Sequence, residues 1–317
     1  MTNIKITMLG ARGVGKTSLM AALYHCSNTI LSATKLNFSL GLDTKKRLDS
    51  RLQGLRELSD SNCFKADGGG DSTADYSLYT FNLSSRNSDK SSIQFTFQDY
   101  PGGDHNKKTE NVKNYLTECT AVLIAIDSSA MMEEKGRWHE SINRPQQILE
   151  LFKETYQDLQ FPKLVIFAPV KCETYMRDKK SIDNLYSTTE AKYKELIEFL
   201  QSPSLSDKVD FAIAPVQTVG SVIFSYIKEI EGEPQFFYRK RNSSDDYQPH
   251  GGEEVLRSLL KFILQYHVAQ NSWIFGFQWI QNMFNKDREF KEAIEKLALS
   301  SKTDRYSGMF EKQFAKR

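Results

Sequence analysis

The residues best suited to chemistry lie near the start of the chain. Residues 10–17 read GARGVGKT and fit the spacing G-x-x-x-x-G-K-[ST]. Glycines in such a loop let backbone amides approach phosphate oxygens, and the N-terminus of a following helix favours negative charge. We therefore predict that Lys16 reaches the β- and γ-phosphates of a nucleotide and that the hydroxyl of Thr17 binds Mg²⁺. The rest of this predicted phosphate site, called the P-loop below, is Gly10, Arg12, Gly13, Val14, Gly15 and Ser18.

A second candidate follows a predicted strand at residues 99–103, which read DYPGG. An aspartate at the carboxyl end of a strand can hold Mg²⁺ through water, and a glycine amide nearby can contact the γ-phosphate. We predict these roles for Asp99 and Gly102. The alternative is a surface turn started by Asp and Pro.

A third candidate is Thr73, in a loop that follows the glycine-rich residues 68–70. Its hydroxyl and carbonyl stand just before a predicted strand, where they can sense the γ-phosphate and Mg²⁺. Ser72 is the close rival for this role.

These residues need a strand and a helix to hold them. Residues 4–9 predict a strand, and residues 16–27 predict a helix. Residues 75–83 and 92–98 alternate in polarity and are joined by a short polar link. Parallel neighbours need a crossover of about a dozen residues, so this pair should form an antiparallel hairpin.

Further along the chain, apolar strands alternate with helices, which indicates a mostly parallel sheet covered on both faces. The predicted helices are 107–118, 141–159 and 188–201, and the strands are 121–126, 163–168 and 209–214. Residues 43–59 and 286–298 predict polar helices, and 253–268 predict a core-facing helix. Residues 222–240 are either a hairpin or an irregular excursion. We expect a domain over 1–268 with insertions at 28–70 and 222–252, then a helical, aromatic extension over 269–317.

Several aromatic residues cluster in that extension, and they cover the sheet edge, bind a partner or touch a membrane surface. They are Trp273, Phe275, Phe277, Trp279 and Phe284.

Composition limits the class of protein. The chain has 317 residues, 39% of them hydrophobic, enough for a sizeable core. The formal net charge of +2, without long blocks of one sign, gives no indication of nucleic-acid binding. Its four cysteines lack C-x-x-C spacing, which argues against a zinc site or disulfide framework. We see no signal peptide and no apolar run of ~18 residues, so the expectation is a soluble cytoplasmic protein.

With the P-loop, the antiparallel second strand and Asp99 to Gly102, residues 1–230 resemble the Ras-like, translation-factor-related (TRAFAC) class of P-loop GTPases. More narrowly, the chain resembles bacterial double-GTPase proteins of conflict and defence gene clusters. That narrower resemblance rests on FQDYPGG at 97–103, APVKCE at 168–173 and APVQTVG at 214–220. It implies a three-layer α/β fold, GTP or GDP with Mg²⁺ as ligands, and a protein effector or conflict-system partner.

Base recognition departs from the class pattern Asn-Lys-x-Asp, because Val170 stands at the Asn position. The resemblance implies that the stem of Lys171 covers the base and that Glu173 accepts from the guanine ring N–H and amino group. Gln217 and Thr218 fall where the last base-contacting loop of the class lies. Ordinary surface charges at a strand end are the alternative.

Hydrolysis also departs from the class pattern. Gly103 stands where many Ras-like members carry a glutamine that orients the attacking water. Asp104 and His105 follow in the same loop, and two interpretations are open for them: one of them substitutes for the glutamine, or both face solvent. Positioning and charge neutralisation dominate phosphoryl transfer, so we expect slow turnover without a partner. Two roles are open for Arg12: it neutralises transition-state charge in cis, or it projects outward to pair with an acid or block a partner.

Three functions remain in competition: a Mg²⁺-dependent GTPase switch, a P-loop ATPase or nucleotide kinase, and a nucleotide-binding scaffold that hydrolyses poorly and recruits an effector.

Overall fold

The strands of the chain form one large sheet and one small sheet, with helices on both faces of the large one. The computed structural model describes residues 2–59, 64–65, 77–86, 92–99, 109–268, 284–285, 287–300 and 306–307. The strands are β1 (Thr2–Leu9), β2 (Leu36–Leu40), β3 (Phe64–Lys65), β4 (Ser77–Ser85), β5 (Ser92–Asp99), β6 (Ala121–Asp127), β7 (Lys163–Val170), β8 (Val209–Ile213), β9 (Val222–Ile230), β10 (Glu233–Lys240) and β11 (Tyr306–Ser307). The helices are α1 (Lys16–Leu31), α2 (Leu42–Ser59), α3 (Thr109–Glu118), α4 (Ser128–Met132), α5 (His139–Asn143), α6 (Pro145–Thr155), α7 (Lys179–Lys192), α8 (Lys194–Leu200), α9 (Gly252–Val268) and α10 (Arg288–Leu299).

The large sheet has the strand order β11-β8-β7-β6-β1-β5-β4-β2. Its five central strands are parallel, whereas β4 runs antiparallel to β5, with Tyr79 opposite Phe97. The predicted hairpin and the predicted mostly parallel α/β sheet are therefore confirmed. Two further antiparallel strands lie at the edges, β2 beside β4 and β11 beside β8.

The large sheet is the middle of three layers. Every residue of β6, β7 and β8 is buried, as expected for apolar strands covered on both faces. One core holds α1, α9 and α10 against the sheet, and the other holds α3, α6 and α8. The apolar face of α9 lies in the first core, as predicted, through Leu256, Leu259, Leu260, Ile263 and Leu264.

Two helix predictions are wrong. Residues 141–159 were expected to form one helix, but the chain breaks at Arg144, whose φ is 52°, and α6 starts afresh at Pro145. Proline lacks the N–H that would continue α5 and suits the first turn of a new helix. The helix expected over 188–201 begins earlier, at Lys179, because Asp178 caps it by accepting a hydrogen bond from Ser181 N (2.8 Å). It is also interrupted at Tyr193, before α8.

Residues 222–240 form a hairpin, which decides between the two alternatives. With β3 this hairpin makes the small sheet, in the order β3-β10-β9. It lies against the large sheet's carboxyl-end loops. Phe224 N donates to Thr174 Oγ1 (2.7 Å), and the hydroxyls of Ser129 and Tyr238 are 2.8 Å apart.

The segment after α9 adds to the same core: Phe284, Phe290 and Ile294 are buried there. The other four aromatic residues of the predicted cluster, 273 to 279, lie outside the described residues. Within the described parts of the chain, every helix is too short or too polar to span a bilayer.

Candidate functional site

The P-loop joins β1 to α1 at the carboxyl edge of the large sheet. Gly10 has a φ of 140°, and a Cβ there would lie 2.9 Å from the carbonyl oxygen of Ala125. Gly15 has a φ of 117° and precedes the first turn of α1. Only glycine adopts such conformations without strain, so both positions require it. The loop therefore presents its backbone and the N-terminus of α1 at one place.

Lys16 lies at the centre of this loop. Its Nζ donates to the carbonyl oxygens of Gly10 (2.8 Å) and Ala11 (3.3 Å). The same ammonium is 3.5 Å from Oδ1 of Asp99, and both side chains are buried. The predicted phosphate lysine and the predicted metal aspartate are thus brought together.

Asp99 ends β5, directly beside Met8 of β1. Burial raises the pKa of its carboxyl above the ordinary value, and the nearby Lys16 offsets part of that shift. Its Oδ1 accepts no hydrogen bond from a described residue. The ammonium of Lys16 lies 3.5 Å from this oxygen, and a buried carboxylate oxygen with so long a contact is suited to a cation or its bound water.

The described residues contain no group of three His, Cys, Asp or Glu side chains that could hold a metal by themselves. Mg²⁺ needs no such group, since it is commonly bound by one or two protein oxygens together with phosphates and water. Thr17 and Asp99 fit that requirement. Burial raises the pKa of the neighbouring Tyr79 phenol, and a hydrogen bond with the Thr17 side chain opposes this shift.

Arg51 of α2 also reaches the site, and the sequence analysis missed it. Its Nε and Nη2 donate to Ser18 Oγ at 3.2 and 2.9 Å. Ser18 lies in the first turn of α1, where backbone N–H groups have no partner within the helix. A positive charge is therefore held beside the anion-binding end of α1. The predicted polar helix at 43–59 gave no sign of this contact.

Lys171 directly follows β7, and its side chain contacts the P-loop. Its Nζ donates to Gly13 O (3.0 Å) and to Asp127 Oδ2 (2.6 Å). A Cβ placed on Gly15 would lie 3.6 Å from Cε of Lys171, so the aliphatic stem passes close to the loop. Val170, just before it, is fully buried in the core.

Glu173 is fixed by the loop that follows β8. Its Oε1 accepts hydrogen bonds from the backbone N–H groups of Val219 (2.9 Å) and Gly220 (3.2 Å). Burial raises the pKa of this carboxyl, and the donors oppose that shift. One carboxylate oxygen of Glu173 is therefore anchored by two backbone donors.

Gln217 and Thr218 lie in the same loop, next to the donors to Glu173. The backbone of Gln217 pairs with that of His250 through two hydrogen bonds, of 2.9 and 3.0 Å. Thr218 is buried. A Cβ on Gly220 would lie 1.6 Å from Gln248 O, so the loop at 247–250 backs this one closely. The structure thus brings the P-loop, Lys171, Glu173 and residues 217–218 to one edge of the sheet.

Other predicted residues are placed differently. Arg12 is exposed on the P-loop. The predicted switch and water-orienting residues lie outside the described part of the chain: Ser72, Thr73, Gly102, Gly103, Asp104 and His105.

Asp127 is the second residue that the sequence analysis missed. It ends β6 as Asp99 ends β5, and its carboxylate is buried against Lys171. A signal was present, because an aspartate closes the apolar run AVLIAID. Which lysine it meets could not be read from that run.

Comparison with known proteins gives a family and several structures. A model of the family described as Double-GTPase 2 matches residues 4–218. The GTP-bound GTPase-like domain of Saccharomyces cerevisiae Ski7 matches at 15% identity and a TM-score of 0.40, covering 68% of this chain and 43% of that chain. The chain therefore spans less than half of the length of the Ski7 structure. The SRb-GTP/SRX complex of Chaetomium thermophilum matches at 13% identity and a TM-score of 0.38, covering 69% and 93% of the two chains.

A third structure is the GDP complex of an ADP-ribosylation-factor-like protein, the small COPII coat GTPase SAR1 of Encephalitozoon cuniculi. It matches at 16% identity and a TM-score of 0.33, covering 68% of this chain and 70% of that one. No curated protein matches the sequence.

Proposed function

The chain belongs to the Double-GTPase 2 family, and on that premise we propose that it binds GTP or GDP with Mg²⁺ at the P-loop, hydrolyses GTP slowly and acts as a conformational switch. The observation that carries the proposal is the contact of Lys171 with both the P-loop and Asp127. This contact supports the proposal, because it holds a residue proposed to recognise the base beside the loop proposed to bind the phosphates.

The hydrogen bonding of the Glu173 carboxylate favours guanine over adenine. Two backbone donors hold its Oε1, and we assign its Oε2 to the edge of the base. Guanine offers a ring N–H and an amino group on one edge, which match a carboxylate acceptor. Adenine has an unprotonated ring nitrogen at the corresponding place, which would face the carboxylate as a second acceptor. This argues against the ATPase and nucleotide-kinase alternative.

The phosphate end is served by Lys16 and Asp99. Lys16 exchanges its bonds to the Gly10 and Ala11 carbonyls for phosphate oxygens, which are stronger acceptors because they are charged. Thr17 and Asp99 would hold Mg²⁺. When bound, Mg²⁺ neutralises charge on the β- and γ-phosphates.

Binding is tested by calorimetry with GTP, GDP and ATP in the presence of Mg²⁺. We expect both guanine nucleotides to bind and ATP to bind more weakly. Lys16→Ala should abolish binding, and Lys5→Ala, a change in an exposed lysine of β1, is the matched control. Preference for ATP, or no uptake of a purine triphosphate by the folded protein, would overturn the proposal.

Slow hydrolysis is inferred from Gly103, which has no side chain to orient water. Single-turnover hydrolysis by Arg12→Ala tests whether this exposed arginine neutralises transition-state charge. A loss of turnover at unchanged affinity supports that role, and unchanged turnover removes it. Robust multiple-turnover phosphate release by the isolated wild-type protein would contradict slow hydrolysis and also the scaffold alternative.

The role in a bacterial conflict or defence system, with a protein effector, is supported by the family resemblance. Its test is a comparison of proteins captured by the GTP-loaded and GDP-loaded chain. A nucleotide-dependent partner supports the switch, and an identical set for both states contradicts it.

A further inference from the structure

The base-recognition segment lacks the amide that its class uses, since Val170 is apolar and buried in the core. Such an apolar side chain can form no hydrogen bond to hold Lys171 or to join this segment to the P-loop. Lys171 itself has a φ of 55°, a conformation that non-glycine residues seldom adopt. Something else in the fold must therefore fix its long, flexible side chain.

The ion pair between Lys171 and Asp127 supplies that fixation. Nζ lies 2.6 Å from Asp127 Oδ2, and the side chains are 15% and 2% exposed. The same Nζ donates to Gly13 O at 3.0 Å. A charged hydrogen bond shielded from water is stronger than one at the surface, and a second acceptor defines where the ammonium lies.

Three hydrogen bonds besides its contact with Lys171 fix the position of Asp127. Its Oδ1 accepts from Ala130 N (3.1 Å) and caps α4. Its backbone N–H donates to Asn143 Oδ1 (2.7 Å), and its carbonyl accepts from Asn143 Nδ2 (3.1 Å). Asn143 in turn lies 3.1 Å from His139 Nδ1. Because these hydrogen bonds fix the carboxylate, Asp127 determines where the ammonium of Lys171 lies.

We propose that Asp127 is a positioning residue for the nucleobase: it holds the ammonium of Lys171 against Gly13 O so that the stem lies across the P-loop as one wall of the base pocket. It acts through Lys171 and does not touch the nucleotide. In this chain the buried ion pair takes the place of the missing asparagine amide. This inference rests on the proposed guanine-nucleotide binding.

The competing explanation is that Asp127 only caps α4. Asp127→Asn separates the two, because an asparagine keeps an oxygen for Ala130 N but loses the charge. Its amide nitrogen would then face the ammonium of Lys171, donor against donor. Asp178→Asn is the matched control, since Asp178 caps α7 in the same manner through Ser181 N at the surface.

The experiment measures GDP affinity by calorimetry for the wild type, Asp127→Asn, Lys171→Ala and the double variant. We expect Asp127→Asn to weaken GDP binding by about 10-fold or more, the loss expected for one charged hydrogen bond. The double variant should bind no more weakly than Lys171→Ala, because residues in direct contact do not act additively. A residue that merely supports the fold would give additive losses.

The proposal is overturned if Asp127→Asn binds GDP within about twofold of the wild type, or if its effect adds in full to that of Lys171→Ala. If Asp127→Asn fails to fold, Asp127→Ser replaces it, as serine also caps helices without charge. Failure of both to fold assigns Asp127 to the cap alone and sinks the proposal. Absence of GDP binding by the wild type would instead remove the proposed function and, with it, this inference.

Discussion

The anchoring of Glu173 permits a sharp prediction for Glu173→Gln. Because Oε1 accepts from the N–H groups of Val219 and Gly220, a glutamine must turn its carbonyl oxygen toward those two donors. Its amide nitrogen then faces the base. At the place where the proposed guanine would present its own donors, the substitution therefore replaces an acceptor by a donor.

The magnitude follows from the hydrogen bonds lost. A hydrogen bond to a charged group contributes about 1.5–3 kcal/mol, so losing contacts to the ring N–H and the amino group costs about 3 kcal/mol or more. Since each 1.4 kcal/mol is tenfold in affinity, GDP should bind roughly 100-fold more weakly. Xanthine carries a carbonyl oxygen in place of the amino group, and it can accept from the new amide. The variant should therefore prefer XDP to GDP.

Calorimetric titration of both nucleotides into both proteins provides the assay. Glu195→Gln is the control, because Glu195 is an exposed carboxylate that accepts a hydrogen bond from Gln146 and belongs to none of the site segments. Unchanged GDP affinity in Glu173→Gln, with no gain for XDP, would refute the assignment of Oε2 to the base edge. Loss of both nucleotides together with a lowered unfolding temperature would refute the claim that Glu173 acts on specificity.

Three further outcomes are expected. Asp99→Asn should raise the unfolding temperature of the nucleotide-free protein at pH 7 while weakening Mg²⁺-dependent GTP binding, because burial holds the pKa of this carboxyl above its ordinary value. The stability conferred by the protonated carboxyl is complete below the pKa of Asp99 in the unfolded chain and is lost as pH rises through its pKa in the folded protein. The difference in unfolding temperature between Asp99→Asn and the wild type should therefore vanish below about pH 4. Equal unfolding temperatures of the two proteins at pH 7 would contradict this prediction. Arg51→Ala should weaken GTP binding several-fold in calorimetry by removing the cation beside the first turn of α1, with partial recovery in Arg51→Lys; equal affinity in all three proteins would rule this out. Gly220→Ala should lower the free energy of unfolding by about 1–3 kcal/mol in denaturant titrations, because φ is +79° and the Cβ would meet Gln248 O, whereas Gly54→Ala in the open face of α2 should not destabilise the protein.

Short stretches of sequence specify much of the candidate site. Residues 10–17 specify the P-loop locally, because glycines at fixed spacing, a preceding strand and a following helix lie within a few residues of one another. The short polar link before Ser92 likewise specifies the antiparallel hairpin, since so few residues cannot make a parallel crossover. The order of strands and helices then predicted the three-layer sheet that the structure confirms. The helix break at Arg144 was missed although it is local, because Pro145 suits the start of a helix as well as the end of one.

The partners of the charged groups were decided only by the tertiary structure. Asp127 and Lys171 are 44 positions apart, and Arg51 and Ser18 are 33 positions apart. Each pair meets because β6 lies beside β7, or because α2 packs on α1, and no pattern within one element records its neighbour. The periodicity of apolar residues along an element shows which of its side chains are buried. The donor or acceptor that offsets the desolvation cost of a buried charge is supplied by another part of the chain.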